Sequence, residues 1–199
     1  PTLLYGYGSY GISISPSFSV SRLSLIDRGM VYAIAHIRGG MEKGKKWYEN
    51  GKKKNKLNSF KDFITCAEFL KKENISKNIT IHGGSAGGLL IGASLNISPD
   101  TFHCAVAEVP FVDVLNTILD DTLPLTPPEW EEWGNPIKNK SDFDYIGSYS
   151  PYDNIKEQNY PAILATSGLT DPRVTYWEAT KWIAKLRSKK TNDNPLFLK

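Results

Sequence analysis

One serine set among glycines is the residue best placed to do covalent chemistry. Thr80-Ile81-His82-Gly83-Gly84-Ser85-Ala86-Gly87-Gly88-Leu89-Leu90 passes from an apolar run through a glycine-rich break into small and aliphatic residues. That pattern predicts a strand, a sharp turn and a helix. Gly83-x-Ser85-x-Gly87 fits a nucleophile elbow, in which the serine sits on a strained strand-to-helix turn with its hydroxyl held clear of the sheet. Glycines are needed there because a flanking side chain would collide with strand or helix, and because the turn demands angles that other residues resist. An ordinary glycine-rich turn opening a helix, or a phosphate loop, has a similar composition. The Gly-Lys-Ser/Thr of a nucleotide loop and the G-x-G-x-x-G of a dinucleotide site are both absent.

A serine hydroxyl attacks only when a base takes its proton, and the base needs an orienting carboxylate; behind such an elbow the chain order is Ser, Asp/Glu, His. Asp171, in Gly168-Leu169-Thr170-Asp171-Pro172-Arg173, follows a later strand and meets the requirement for the acid. It suits equally a helix N-cap ahead of Pro172. The base is missing: His36, His82 and His103 all precede Asp171, and no histidine follows. His82, on the strand before the elbow, reads as a core histidine.

The elements that must hold these groups alternate along the chain. Strands are predicted at Thr2–Tyr7, Val31–Ile37, Asn78–His82, Cys104–Val109, Pro161–Ser167 and Pro195–Leu198. Helices are predicted at Val20–Arg28, Leu57–Lys72, Ala86–Asn96, Val112–Leu119 and Val174–Arg187. Asp121–Tyr145, rich in proline, acid and tryptophan, reads as a long irregular segment. The alternation gives an α/β fold with a mostly parallel sheet covered by helices on both faces, and chemistry at the carboxyl ends of the strands. Tyr7 lies at such an end, on the glycine-flanked loop Tyr5-Gly6-Tyr7-Gly8.

With 199 residues, 40% of them hydrophobic, the chain can build one sizeable core and is read as one domain, residues 1–199. A net charge of +3 implies neither a nucleic-acid nor a membrane partner. The lysines between Lys43 and Lys56 surround Trp47 and Tyr48 and read as a solvated loop. Cys66 and Cys104 lie in apolar segments without a metal-ligand pattern, so they read as free thiols in a reducing, cytoplasmic compartment. No stretch has the form of a leader or the length of a membrane span. The chain begins and ends on predicted strands, which suggests a piece of something longer.

Taken together, Leu3-Leu4-Tyr5-Gly6-Tyr7-Gly8, Ile37-Arg38-Gly39-Gly40, the Ser85 elbow, Val109-Pro110-Phe111-Val112-Asp113, Glu131-Glu132-Trp133-Gly134-Asn135-Pro136, Tyr149-Ser150-Pro151-Tyr152-Asp153-Asn154 and Asp171-Pro172-Arg173-Val174 resemble the catalytic domain of the prolyl oligopeptidase family, and within it oligopeptidase B. The resemblance covers essentially the whole chain. It implies an α/β-hydrolase fold, here truncated at the C-terminus and without the family's β-propeller. It implies Ser85 as nucleophile, Asp171 as the acid orienting the base, and the Ala86 N–H with the Tyr7 hydroxyl as oxyanion hole. The histidine would lie beyond Lys199. No metal or organic cofactor is required.

The same resemblance implies cleavage of short peptides after arginine or lysine, with Glu129 as the main partner of the basic side chain and Glu131 close by. Composition alone favours reading Pro127-Pro128-Glu129-Trp130-Glu131-Glu132-Trp133 as an acidic solvated loop, and the resemblance reverses that preference. Ser15 and Ser17 stand where oligopeptidase B-like chains often carry two aspartates for a second basic residue, so a preference for paired basic residues is expected to be weakened. The expected function is a serine oligopeptidase acting through an acyl-enzyme, inactive as this fragment because the base is missing. A carboxylesterase of the same fold and a non-catalytic interaction module are the alternatives.

Overall fold

A computed structural model describes residues 1–199. Strands β1 (Thr2–Tyr5), β2 (Val31–Ile34), β3 (Ile79–Gly84), β4 (Cys104–Glu108), β5 (Ala162–Thr166) and β6 (Leu196–Leu198) form one sheet in the order β2-β1-β3-β4-β5-β6. Every pairing is parallel. The predicted strands are all present, trimmed at their ends except β3, which runs two residues further, to Gly84. Their short apolar runs suit strands whose one face is wholly buried.

The helices are α1 (Val20–Ile26), α2 (Lys45–Glu49), α3 (Leu57–Lys72), α4 (Ala86–Ile97), α5 (Val114–Leu119), α6 (Thr126–Trp133), α7 (Lys140–Gly147) and α8 (Tyr176–Lys189). Three of them supply most of the helical part of the core. Phe60, Phe63 and Ala67 of α3, Leu89, Leu90 and Ile91 of α4, and Trp182, Ile183 and Leu186 of α8 join Leu4, Ile79, Ile81, Ala105, Ala107, Ile163 and Ala165 in one buried cluster. Alternate strand residues point the other way. On that second face, α1 lies at the β2 edge, where the Arg22 guanidinium covers the Tyr32 ring at 4.7 Å. Further along, Tyr5, His82, Val106, Leu164 and Phe197 share one row across the sheet. Leu164 is 37% exposed and Phe197 60%.

Two expectations are corrected. The segment from Asp121 to Tyr145 is not irregular but holds α6 and α7. Its prolines sit in the first turn of α6, where the missing N–H has no intrahelical acceptor to lose, so they start a helix instead of breaking one. The lysine-rich stretch is not simply a solvated loop either: it folds into α2 and a 3-10 turn, Lys53–Asn55, and delivers Lys56 into the interior at 1% exposure.

Candidate active site

Strand β3 hands the chain to α4 through Ser85, whose φ of 55° and ψ of −119° lie in a region that side chains resist. Its neighbours explain how the turn closes. A Cβ on Gly83 would lie 2.5 Å from the Gly87 carbonyl oxygen, and one on Gly87 would lie 2.9 Å from that of Gly6. Only glycine allows β3, α4 and the loop after β1 to approach this closely. The Ser85 backbone is pinned on both sides: its N–H donates to Glu108 O at 2.9 Å, and its carbonyl accepts from Phe111 N at 3.0 Å. The strain is thus held by hydrogen bonds from the next strand and its loop.

Ala86 opens α4, so its N–H has no intrahelical acceptor and remains available beside the serine. Tyr7 comes from the loop after β1, its ring against Gly87. Burial, with the charges of Glu129 and Glu132 nearby, pushes its hydroxyl up to about 12, which keeps it a proton donor at any ordinary pH.

Ser85, Tyr7 and Glu129 line one cavity of about 410 Å³, together with Tyr10, Phe111, Ile118 and Leu125. Glu129 reaches it from α6. Its Oε2 accepts from the Tyr10 hydroxyl at 2.8 Å and from Trp133 Nε1 at 2.5 Å, and Oε1 has no donor from the protein. Burial raises its pKa above the usual glutamate value; the two donors oppose that shift and Glu132 adds to it. Aromatic rings wall this end, with Trp133 5.7 Å from Tyr10 and 5.6 Å from Phe111.

Glu131 is not in that cavity. Its carboxylate is 86% exposed and pairs with Lys53 at 3.2 Å. Glu132 takes the inner position instead, accepting from Tyr10 N at 3.0 Å and the Tyr48 hydroxyl at 2.7 Å. Helical phase is the reason: positions 129, 132 and 133 share a face of α6, and 131 points away from it.

Asp171 sits on the loop after β5, whose next residues Pro172, Arg173 and Val174 line the cavity. Its Oδ1 accepts from Arg173 N at 2.8 Å and Val174 N at 3.0 Å, leaving Oδ2 without a donor from the protein. It caps this turn and not α8, whose N-cap is Thr175. Ser15 and Ser17 are exposed on the loop before α1. No histidine lines the cavity: His82 lies 3.1 Å from Glu108 on the second sheet face, and His36 meets Ile14 O at 2.8 Å. No group of three or more His, Cys, Asp or Glu side chains is placed to hold a metal ion, and no helix is long and apolar enough to cross a membrane.

Four residues around the site were not singled out in the sequence. Tyr10 and Glu132 tie the Tyr7 loop to α6. Glu178, in the first turns of α8, accepts from Val112 N at 2.8 Å, Asp113 N at 2.9 Å and the Thr117 hydroxyl at 2.7 Å, joining α8 to the loop that holds the elbow. Lys56 stands behind the Tyr7 loop, its Nζ 2.6 Å from Gly8 O. Buried charged residues in polar stretches carry no periodic signal; the phase of α6 would have marked Glu132, but that helix was not predicted.

A parallel sheet whose middle strand ends in a strained serine heading a helix, with a donor loop and an acid-bearing loop at the same edge, defines an α/β-hydrolase catalytic domain. The chain belongs to the prolyl oligopeptidase family, whose sequence profile matches residues 16–198. It is 49% identical over 201 aligned residues to dipeptidyl aminopeptidase BI of Pseudoxanthomonas mexicana, covering 100% of this chain and 28% of that protein. Oligopeptidase B from Leishmania major has the same fold at a TM-score of 0.97 and 54% identity, over 100% of this chain and 28% of that one. The closed form of oligopeptidase B from Trypanosoma brucei with covalently bound antipain matches at 0.97 and 55%, again over 100% and 28%. The chain therefore spans little more than a quarter of the length of these relatives.

Proposed function

We propose that this chain carries the nucleophile, the oxyanion hole and the specificity pocket of a serine oligopeptidase that cleaves short peptides after arginine or lysine. The observation that carries the reading is Glu129 Oε1, which meets no protein donor in the cavity that holds Ser85. A carboxylate with spare acceptor capacity between aromatic walls suits a cationic side chain, and the low local dielectric strengthens the pair.

In this reading Ser85 Oγ bonds to the scissile carbonyl carbon while its proton passes to a histidine base oriented by Asp171. The Ala86 N–H and the Tyr7 hydroxyl take the developing oxyanion. The C–N bond breaks, the amine leaves with the proton, and water then releases the peptide acid from the acyl-enzyme by the same steps. This chain supplies no histidine at the site, so the 199-residue chain alone is expected to turn over an arginyl ester negligibly and to label poorly with a fluorophosphonate.

The test is kinetic, in the complete protein encoded by the gene. Peptides differing only in arginine, lysine or norleucine before the scissile bond are compared for wild type and Glu129→Gln. The expected result is about a 10²-fold drop in kcat/KM for the basic substrates, with norleucine little changed. Equal treatment of all three by the wild type would end the proposal. Matched Arg-Arg and Gly-Arg substrates are expected to differ little, because Ser15 and Ser17 offer no charge to a second basic residue.

A further inference from the structure

Lys56 is the only basic residue among the buried positions, and no carboxylate lies within ion-pair distance of it. Its Nζ donates to Gly8 O at 2.6 Å and to Ser9 Oγ at 2.8 Å. It also lies 4.9 Å from the centre of the Trp133 ring. An ammonium placed there is costly, since burial strips its water and two neutral acceptors and an aromatic face return only part of the loss. Burial pulls its pKa down to about 8, against the opposing charge of Glu132, so it remains a cation at neutral pH. A filler of the same volume, such as methionine, would avoid that cost.

Its neighbours give the group a use. Gly8 follows Tyr7 directly, and a second clamp closes on the same loop where Glu132 takes Tyr10 N. Trp133, on the other side of the ammonium, donates its Nε1 to Glu129, which also receives the Tyr10 hydroxyl. The Tyr7 loop and the Glu129 helix, 119 residues apart in sequence at their Tyr10–Glu129 bond, thus meet at one buried cation.

We infer that Lys56 is a positioning residue that locks the Tyr7 loop to α6, setting the oxyanion donor and the carboxylate of the first pocket as one unit. Its importance for turnover rests on the reading of Tyr7 and Glu129 given above. The locking itself does not.

The experiment has two arms so that the two can fail separately. Hydrogen exchange is measured on the complete protein encoded by the gene as wild type, Lys56→Met and Lys56→Gln. Peptides covering residues 6–11 and 129–134 are expected to lose protection by tenfold or more in Lys56→Met, with β3, β4 and β5 unchanged. Lys56→Gln, which keeps a neutral donor, is expected to lie between. Unchanged exchange in the loop, or a uniform rise across the sheet as in simple destabilisation, would overturn the inference.

In the complete protein, Lys56→Met is expected to lower kcat by about 10- to 100-fold on an ester with an uncharged residue before the scissile bond, because a misplaced oxyanion donor acts whatever the side chain. On an arginyl substrate KM is expected to rise as well, and Lys56→Gln is expected to restore part of both. A loosened loop with undiminished kcat would overturn the role of Lys56 in turnover and, with it, Tyr7 as oxyanion donor.

Discussion

Glu129 and Glu178 line the same cavity, and burial drives both towards the neutral form, yet their oxygens are used differently. Glu178 is 1% exposed and fully engaged, with two backbone N–H groups on one oxygen and a threonine hydroxyl on the other. Glu129 has both its donors on one oxygen and keeps the other open. A buried carboxylate whose acceptors are all taken joins elements of the fold, and one with an acceptor to spare can receive a ligand. Lining the cavity does not by itself separate the two.

The contrast can be broken most sharply at Glu178. Glu178→Ala would leave two buried N–H groups without acceptors and open a cavity, and is expected to cost about 3–5 kcal/mol of unfolding free energy in denaturant titrations. A loss below about 1 kcal/mol would remove its structural role. Glu178→Gln keeps an acceptor for the amides and a donor for Thr117, so it separates charge from hydrogen bonding.

That variant also sharpens the pH dependence. Glu178 is held at about 7 in the fold, above the usual glutamate value of 4.5. The folded state therefore binds the proton more tightly, and stability present below pH about 4.5 is lost as pH rises through 7, by up to about 3 kcal/mol. The stability of Glu178→Gln relative to wild type is expected to rise across that window, as thermal melts at pH 5 and 8 would record. A constant difference would mean that the carboxylate does not titrate there.

At Glu129 the expected sign is read in binding. Its raised pKa means that the carboxylate is lost to protonation at a higher pH than for a solvent-exposed glutamate, so KM for a basic peptide should climb as pH falls through the raised value while KM for a neutral one stays flat. The smallest effect belongs to Glu131. Glu131→Gln removes only an exposed pair with Lys53, and kcat/KM on arginyl substrates should stay within about twofold.

Much of the architecture was legible because strands and core helices write it in apolar periodicity: α3 shows it at Phe60, Phe63, Ile64 and Ala67, all buried. The Ser85 turn was legible for a different reason, since glycines are required where backbones approach within a few ångströms. What escaped had no such signal. Pro127 and Pro128 look like breakers unless their place in the first turn is known, and with α6 unrecognised the phase that separates Glu131 from Glu132 could not be used. Lys56 was hidden among lysines that are solvated. Its burial is decided by the Tyr7 loop, almost fifty residues earlier in the chain.

The row of Tyr5, His82, Val106, Leu164 and Phe197 has a practical consequence for anyone who purifies these 199 residues. It is a partly apolar surface, most exposed at Leu164 and Phe197, and such surfaces adhere to their own kind and to dyes, resins and vessel walls. Phe197→Lys, on the edge strand β6, is expected to lessen that adhesion without touching the cavity on the serine's side.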